Sequence, residues 1–600
     1  MTTRKILFRK EVPDKDKWDL SPLFKNDQAW LKNYLEIEKK ISGYSNFSGT
    51  LTKSLKHFKK VLDFDLDISR QIEALYTYAH LKNDEDKSNQ LYLGLYEKAI
   101  SLYTRASELA SFITPEIQAL PPKIMEKYLK SPELKDYQFY LKKILRFRPH
   151  THDQKTERIL SLTTDLSGAA SSLFSQLDNV DLKFGFIKND KKELVELSHA
   201  NFNTFLINES RAIRKKAFQQ YYQVYDDHKN TIASALGSSV KKDYFYAKVR
   251  NFSTCREASL FKDNINLKVY DNLLKTVKDN LKPFFKYLKF RKKVLGLKEL
   301  HFYDTYVPLV KKVNFKMPYK EAVAVCLKAL RPLGEEYLAI LEKGLLSGWV
   351  DRYENRGKRS GAYSSGCYDS PPYILLNYEE DNINSLYTLI HEAGHSMHSY
   401  YAKKNQSYLN HNYTIFVAEV ASTFNETLLT RYLLTYYQDN PKMAKYILNR
   451  EIDNIRGTLF RQTMFAEFEK KTHDLVEKNQ PLTLEVLLQE YQRLLQIYLG
   501  PELYLDQELS LECLRIPHFY SAFYVYKYAT GISAAIALAE KVLQKGSNAR
   551  DKYLNFLTLG GTLFPLDQLK KAGVNMNSTE PIKDTINYFG NLVQTLIKGQ

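Results

Sequence analysis

Apolar residues return every three or four positions through nearly every long stretch of this 600-residue chain. That period constrains the fold more than any other feature. Trp30 to Lys40, Ile68 to Lys82, Leu91 to Phe112 and Arg211 to Lys248 each read as a helix with one apolar face. Breakers are scarce, with 23 glycines and 19 prolines, so little interrupts the pattern. A mainly α fold is expected. The length exceeds what one core organises, so two lobes are expected: an N-terminal helical lobe over residues 1–200 and a larger domain over 201–600, with segments shared between them. A hydrophobic fraction of 44% with 13% aromatics supplies the interior and excludes global disorder.

Two places leave the helical period. Lys183 to Ile187, then Lys188-Asn189-Asp190, then Leu194 to Leu197 read as a short hairpin. Arg356 to Tyr378 is punctuated by Gly357, Gly361 and Gly366, and Pro371-Pro372 precede a strand candidate, Tyr373 to Tyr378. As an edge strand of a small sheet, this last run could pair with an extended peptide.

The strand candidate leads into His391-Glu392-Ala393-Gly394-His395. Histidines four apart on a helix share a face, about 6 Å apart, so both can reach one metal ion. Glu392 projects to the side, where it reaches a metal-activated water and not the metal. The helix should start near Asp381 or Asn382 and bury Ile383, Leu386, Leu389, Ile390 and Ala393. Gly394 costs about 1 kcal/mol relative to alanine inside a helix, a cost explained if another backbone approaches closely. A loop over Lys403 to Asn412 precedes a second helix, Phe416 to Leu429. If the two helices are antiparallel, Glu419 faces His395 and becomes the third ligand. Glu426, about 10.5 Å further along the axis, lies nearer the level of His391 and could hold that histidine by its other nitrogen. Among Val417, Ala418, Val420 and Ala421, an unpaired Glu419 would be costly to bury. His398 shares the histidine face but lies roughly 7 to 8 Å along the axis from such an ion. It suits second-shell or substrate contact better than ligation, and a plain surface histidine equally well.

Other features narrow the setting. Cys255, Cys326, Cys367 and Cys513 are far apart, which disfavours a disulfide framework or a cysteine metal site and fits a reduced, cytoplasmic compartment. Neither an apolar leader nor an apolar run long enough for a membrane span is present. The net charge of +18 is spread over single and paired basic residues, a solvated surface with no specific nucleic-acid partner.

The motif region resembles the M3 metallopeptidases, and within them the oligoendopeptidase F group. His391 to His398 and Glu419 to Glu426 carry the resemblance, with Gly357 to Gly366 upstream. Arg456 to Glu469, Ile516 to Tyr520 and Phe523 to Gly531 extend it towards the C-terminus. The resemblance implies a mainly α, two-lobed metallopeptidase with a small β-sheet near the active site and a deep substrate channel. It implies one Zn²⁺ per chain on His391, His395 and Glu419, with Glu392 as general base in the hydrolysis of internal bonds of short oligopeptides. The segment His518 to Tyr528 matches the family's substrate-contacting, oxyanion-stabilising stretch. Tyr526 is expected as the donor, with His518 beside it and Tyr520 and Tyr524 as further contacts. Other branches carry a longer glycine-rich loop after that histidine, which this chain lacks. Two alternatives remain open. One is a dipeptidyl carboxypeptidase-type exopeptidase, with Arg359 or Arg461 capturing a substrate carboxylate. The other is a non-catalytic helical binding protein. The oligomeric state is not legible.

Overall fold

The computed structural model describes residues 6–310 and 313–599. Helices dominate, and the strands among the described residues are five short segments. β1 (Phe186–Lys188) and β2 (Leu194–Glu196) form the expected hairpin, with Ile187 opposite Val195. The second sheet contains β3 (Val350–Asp351), β4 (Tyr363–Ser365) and β5 (Tyr373–Leu375), in the order β3-β5-β4. β5 therefore lies in the middle, parallel to β3 and antiparallel to β4. This corrects the expectation that the Tyr373 run forms an edge. Tyr373, Ile374 and Leu375 are all fully buried, which suits a central strand. The outer strands are β3 and β4.

The chain divides into two compact units, each assembled from three segments. The first comprises Met1–Pro149, Asn314–Tyr432 and Leu538–Gly573; the second comprises His150–Val313, Leu433–Ala537 and Val574–Gln600. Each unit draws on segments from both sides of residue 200. The reason is packing. In the first unit Trp18, Trp30, Phe58, Leu75 and other N-terminal side chains share one core with Tyr373 and Leu375.

Within that unit the long helix Leu55–Glu85 supports the glycine-punctuated loop. Gly357 has a φ of +77°, and a β-carbon there would lie 2.1 Å from Asp86 Oδ1, so both conformation and space demand glycine. The Lys87 N–H donates to the Gly357 carbonyl (2.7 Å), and the Arg359 N–H to the Asp84 carbonyl (3.0 Å). Buried Asp84 also receives His80 (3.1 Å), Lys87, Arg359 (3.2 Å) and the Tyr363 hydroxyl (2.8 Å). Lys358, with no exposed side-chain surface, pairs with Asp351 at 2.6 Å and donates to the carbonyls of Tyr353 and Leu376. These bonds hold β4 in place beside β5.

The second unit is built round the helix Arg211–Val249, against which the 3₁₀ segment Gln507–Leu514 packs. Its interior holds a charged cluster. Fully buried Glu512 meets Arg461 and Arg515 and accepts the Tyr491 hydroxyl at 2.7 Å. No helix among the described residues is long and apolar enough to cross a membrane.

Candidate metal centre

The motif helix runs Ile383–Asn405, with Asn382 as its cap, accepting the Asn384 N–H at 3.0 Å. Its stripe Ile383, Leu386, Leu389, Ile390 and Ala393 is buried. The following helix is Ile415–Tyr436. The two backbones touch at Gly394, where a β-carbon would stand 2.6 Å from Ser422 Cα and 2.7 Å from the Ala421 carbonyl oxygen. Asn425 stitches the same interface, donating from Nδ2 to the Ile390 carbonyl at 3.3 Å.

This close approach brings three donors together. His391 Nε2 lies 3.5 Å and His395 Nε2 3.7 Å from Glu419 Oε2, and the three groups offer ligand atoms all within 4.8 Å of one another. Each histidine is also engaged elsewhere. His391 Nδ1 is 2.6 Å from Glu426 Oε1, and the His395 ring hydrogen-bonds the backbone of Ala418. A hydrogen on Nδ1 of His391 leaves its Nε2 lone pair facing Glu419. Ser422 Oγ donates to Glu419 Oε2 at 3.3 Å. The Glu419 side chain is 43% exposed. Geometry singles it out, and the expected cost of burying it does not apply.

Glu392 stands beside the cluster, buried, with the Ser364 N–H of β4 bonded to its carboxylate. Ser364 Oγ meets buried Ser396 Oγ at 2.8 Å, so β4 is fastened twice to the motif helix. Sequence reasoning missed both serines. Their only signal is that Ser396 follows His395 and Ser364 sits in the Gly357–Gly366 stretch.

The electrostatics are those of a cation site. Burial lowers the His391 pKa, but the hydrogen bond and charge of Glu426 outweigh it and raise it to about 9. Burial and the His391 charge push His395 down to about 3. Burial raises Glu392 to about 7; His391 opposes this, and Glu419 and Glu426 add to it. Three carboxyl groups thus converge on two imidazoles. Two imidazoles and a carboxylate are a donor set suited to a divalent ion with one open position.

His398 is not part of the cluster. It is fully buried, with its ring stacked on Tyr413 at 3.6 Å, and neither ring nitrogen has a hydrogen-bond partner among the described residues. Burial and the His395 charge push its pKa down to about 3. As packed, it is neither a ligand nor a surface group.

His518, Tyr520, Tyr524 and Tyr526 lie in the second unit. Tyr526 is fully buried, its ring 5.2 Å from that of Tyr270. Tyr520 is buried against Phe174, with ring centroids 4.5 Å apart. His518 and Tyr524 are half-buried, their rings parallel at 5.8 Å. Tyr528, also half-buried, brings its hydroxyl to 3.3 Å from His518 Nε2. Sequence reasoning passed over Tyr528, although its spacing of four from Tyr524 was visible. The two arginines considered for carboxylate capture are both engaged, Arg359 by Asp84 and Arg461 by Glu512.

Two consecutive helices thus bring together three side chains able to hold a metal ion, with the Glu392 carboxylate beside them. That arrangement defines the helical metal-dependent hydrolases of the H-E-x-x-H class. Comparison with known proteins narrows the class. The family model "Peptidase family M3" matches residues 204–588, and "Oligopeptidase F" matches 116–184. The chain is 45% identical to oligopeptidase PepF of Bacillus subtilis over 97% of its own length and 87% of that protein's. It is 42% identical to an oligoendopeptidase F homolog of Borreliella burgdorferi, over 97% and 98% of the two chains. The crystal structure of oligoendopeptidase-F from Enterococcus faecium superposes with a TM-score of 0.74 at 36% identity, covering 96% of this chain and 99% of that one. The chain belongs to peptidase family M3, and is a metallopeptidase of its oligoendopeptidase F group.

Proposed function

We propose that this metallopeptidase uses zinc, held by His391, His395 and Glu419, to hydrolyse internal bonds of short oligopeptides. The observation that carries the reading is the convergence of those three donors with Glu392 beside them. When bound, zinc supplies Lewis-acid activation of a water and of the scissile carbonyl. Glu392, steadied by the Ser364 N–H, takes the proton of the attacking water and returns it to the leaving amine. Glu426 orients His391 through Nδ1. The outer strand β4 offers main-chain groups to an extended peptide. In the His518–Tyr528 segment the half-buried polar groups of His518, Tyr524 and Tyr528 are the donors we assign to the oxyanion. Buried Tyr526 and Tyr520 are not, in contrast to the sequence expectation.

The exopeptidase reading draws no support from Arg359 or Arg461, since each already faces a carboxylate. A quenched peptide with both ends blocked should be cut internally, with products placed by mass spectrometry. Cleavage only from a free C-terminus would reverse the assignment. Glu392→Gln should keep about one zinc per chain, by elemental analysis, and lose roughly 10²- to 10⁴-fold in kcat. Near-normal turnover in that variant would remove Glu392 from the mechanism.

A further inference from the structure

The turn between the two halves of the His518–Tyr528 segment is strained. Phe523 has a φ of +52°. The other non-glycine residues with positive φ among those described are Lys192, Asn251, Asn264 and Asn479. Asparagine visits the left-handed region readily, and a bulky aromatic residue does not. Holding it there costs on the order of 1–3 kcal/mol and requires that the surroundings over-determine the backbone.

The surroundings can be named. The Phe523 N–H donates to Glu469 Oε1 at 2.5 Å. The preceding carbonyl, of Ala522, accepts from Ser259 Oγ at 2.9 Å. The Phe523 ring is 1% exposed and packs edge-on to Tyr270 (5.7 Å) and beside His473 (4.6 Å). His473 is itself anchored, by Nδ1 to the Glu469 carbonyl (2.8 Å) and by Nε2 near Asp243 Oδ2 (3.3 Å).

Glu469 is the unexpected member. It is 2% exposed, and its Oε2 has no hydrogen-bond partner among the described residues. Burial drives its carboxyl well above the usual carboxylate range, against the Phe523 N–H. A buried acid with one bond is a poor stabiliser compared with an apolar side chain of the same size. Its one bond goes to the strained peptide. It also lies in the Arg456 to Glu469 stretch, which the metal chemistry leaves unused.

We propose that Glu469 is a positioning residue: by accepting the Phe523 N–H it locks the left-handed turn that sets His518 against Tyr524 and Tyr528. The turn follows the 3₁₀ segment Pro517–Tyr520 and precedes the helix Tyr526–Lys545. A switch of φ to negative values would swing His518 away from both tyrosines. The inference rests on the reading that this segment acts on the substrate.

The test uses the full-length zinc-loaded protein and a quenched peptide, with kcat, KM, zinc content and melting temperature read for each variant. Glu469→Gln keeps an acceptor oxygen and should retain turnover. Glu469→Met keeps the length without the acceptor and should lower kcat by about 10- to 100-fold, the order expected of a misplacement near 1 Å, with zinc content and KM little changed. Adding Phe523→Gly, for which this φ is unstrained, should restore part of the kcat lost in Glu469→Met. Because Phe523→Gly also removes a buried ring, kcat is compared per folded, zinc-loaded chain; if the methionine variant folds poorly, Ser259→Ala, which frees the Ala522 carbonyl of the same turn, takes its place and should lower kcat likewise. Wild-type kcat in Glu469→Met, or equal losses in the glutamine and methionine variants, would overturn the proposal. His518→Ala and Tyr524→Phe, measured alongside, separate the two layers. If they lower kcat and Glu469→Met does not, the positioning role fails alone. If they leave kcat unchanged, the reading of the segment fails and the positioning role falls with it.

Discussion

The two chemically loaded regions of this molecule are built on opposite principles. The candidate metal cluster sits on two helices, and each of its side chains is placed by a fixed interval. His391 and His395 are four apart, Glu419 and Glu426 seven apart, and one glycine lets the helices touch. The aromatic segment sits on a 3₁₀ turn, a left-handed phenylalanine and the start of a helix. Its geometry depends on tertiary contacts far away in sequence, from Ser259, Tyr270 and Glu469. A helix-borne site tolerates change everywhere except at its donors and its contact point. A turn-borne site is sensitive to residues that never meet the reacting atoms.

The largest expected effect breaks the first region outright. Glu419→Ala should lose the metal and with it essentially all peptidase activity. Stoichiometric tight zinc in that variant would pass the ligand role to Glu426. Glu426→Ala removes only the bond that orients His391, so zinc affinity should fall by about 10- to 100-fold, read by competition with a chelator. An unchanged affinity would show that the 2.6 Å contact does not tune the site. A smaller effect probes the helix contact. Gly394→Ala drives a methyl group into the Ser422 backbone and should destabilise by about 1–3 kcal/mol. Gly457→Ala, in the second unit, meets nothing within 4 Å and should stabilise by up to about 1 kcal/mol through helix propensity. If both substitutions shift the melting temperature in the same direction, the close approach is not what Gly394 serves.

This contrast also explains what the sequence made legible. The helical class, the hairpin at Lys183–Leu197 and the grouping of His391, His395 and Glu419 follow from period and interval, which a linear string records. The level comparison across the loop needs only the rise of a helix. β5 was misplaced at the edge because its apolar run records burial, while strand order is decided by where the loop through Gly357 returns. Ser364 and Ser396 are marked only by their place in the motif stretches, since serines join across 32 positions only after β4 has been docked. Which three segments make up each unit is not legible for the same reason: no local pattern marks a helix whose packing neighbours lie hundreds of residues away. Tyr524, Tyr526 and Tyr528 look alike in sequence, and burial in the structure is what distinguishes them.

The smallest expected effect therefore carries the sharpest lesson for the second region. Tyr526 is the first residue of its helix and fully buried, with its phenol raised beyond its usual range by burial and by the charges of Asp263 and Glu469. A hydroxyl in that position is enclosed within the interior of its own unit. Tyr526→Phe should leave kcat at the wild-type value and change stability by no more than about 1 kcal/mol, the net worth of one hydroxyl's hydrogen bonding. Tyr524→Phe and Tyr528→Phe should do the reverse, with melting temperatures near wild type and, for whichever ring serves as a donor, a loss of about 10²- to 10³-fold in kcat. If Tyr526→Phe instead loses turnover while both outer variants keep it, the segment must rearrange on binding substrate to bring the buried ring out. Glu469, which fixes the turn three residues before Tyr526, would then be the latch released in that rearrangement rather than a permanent brace.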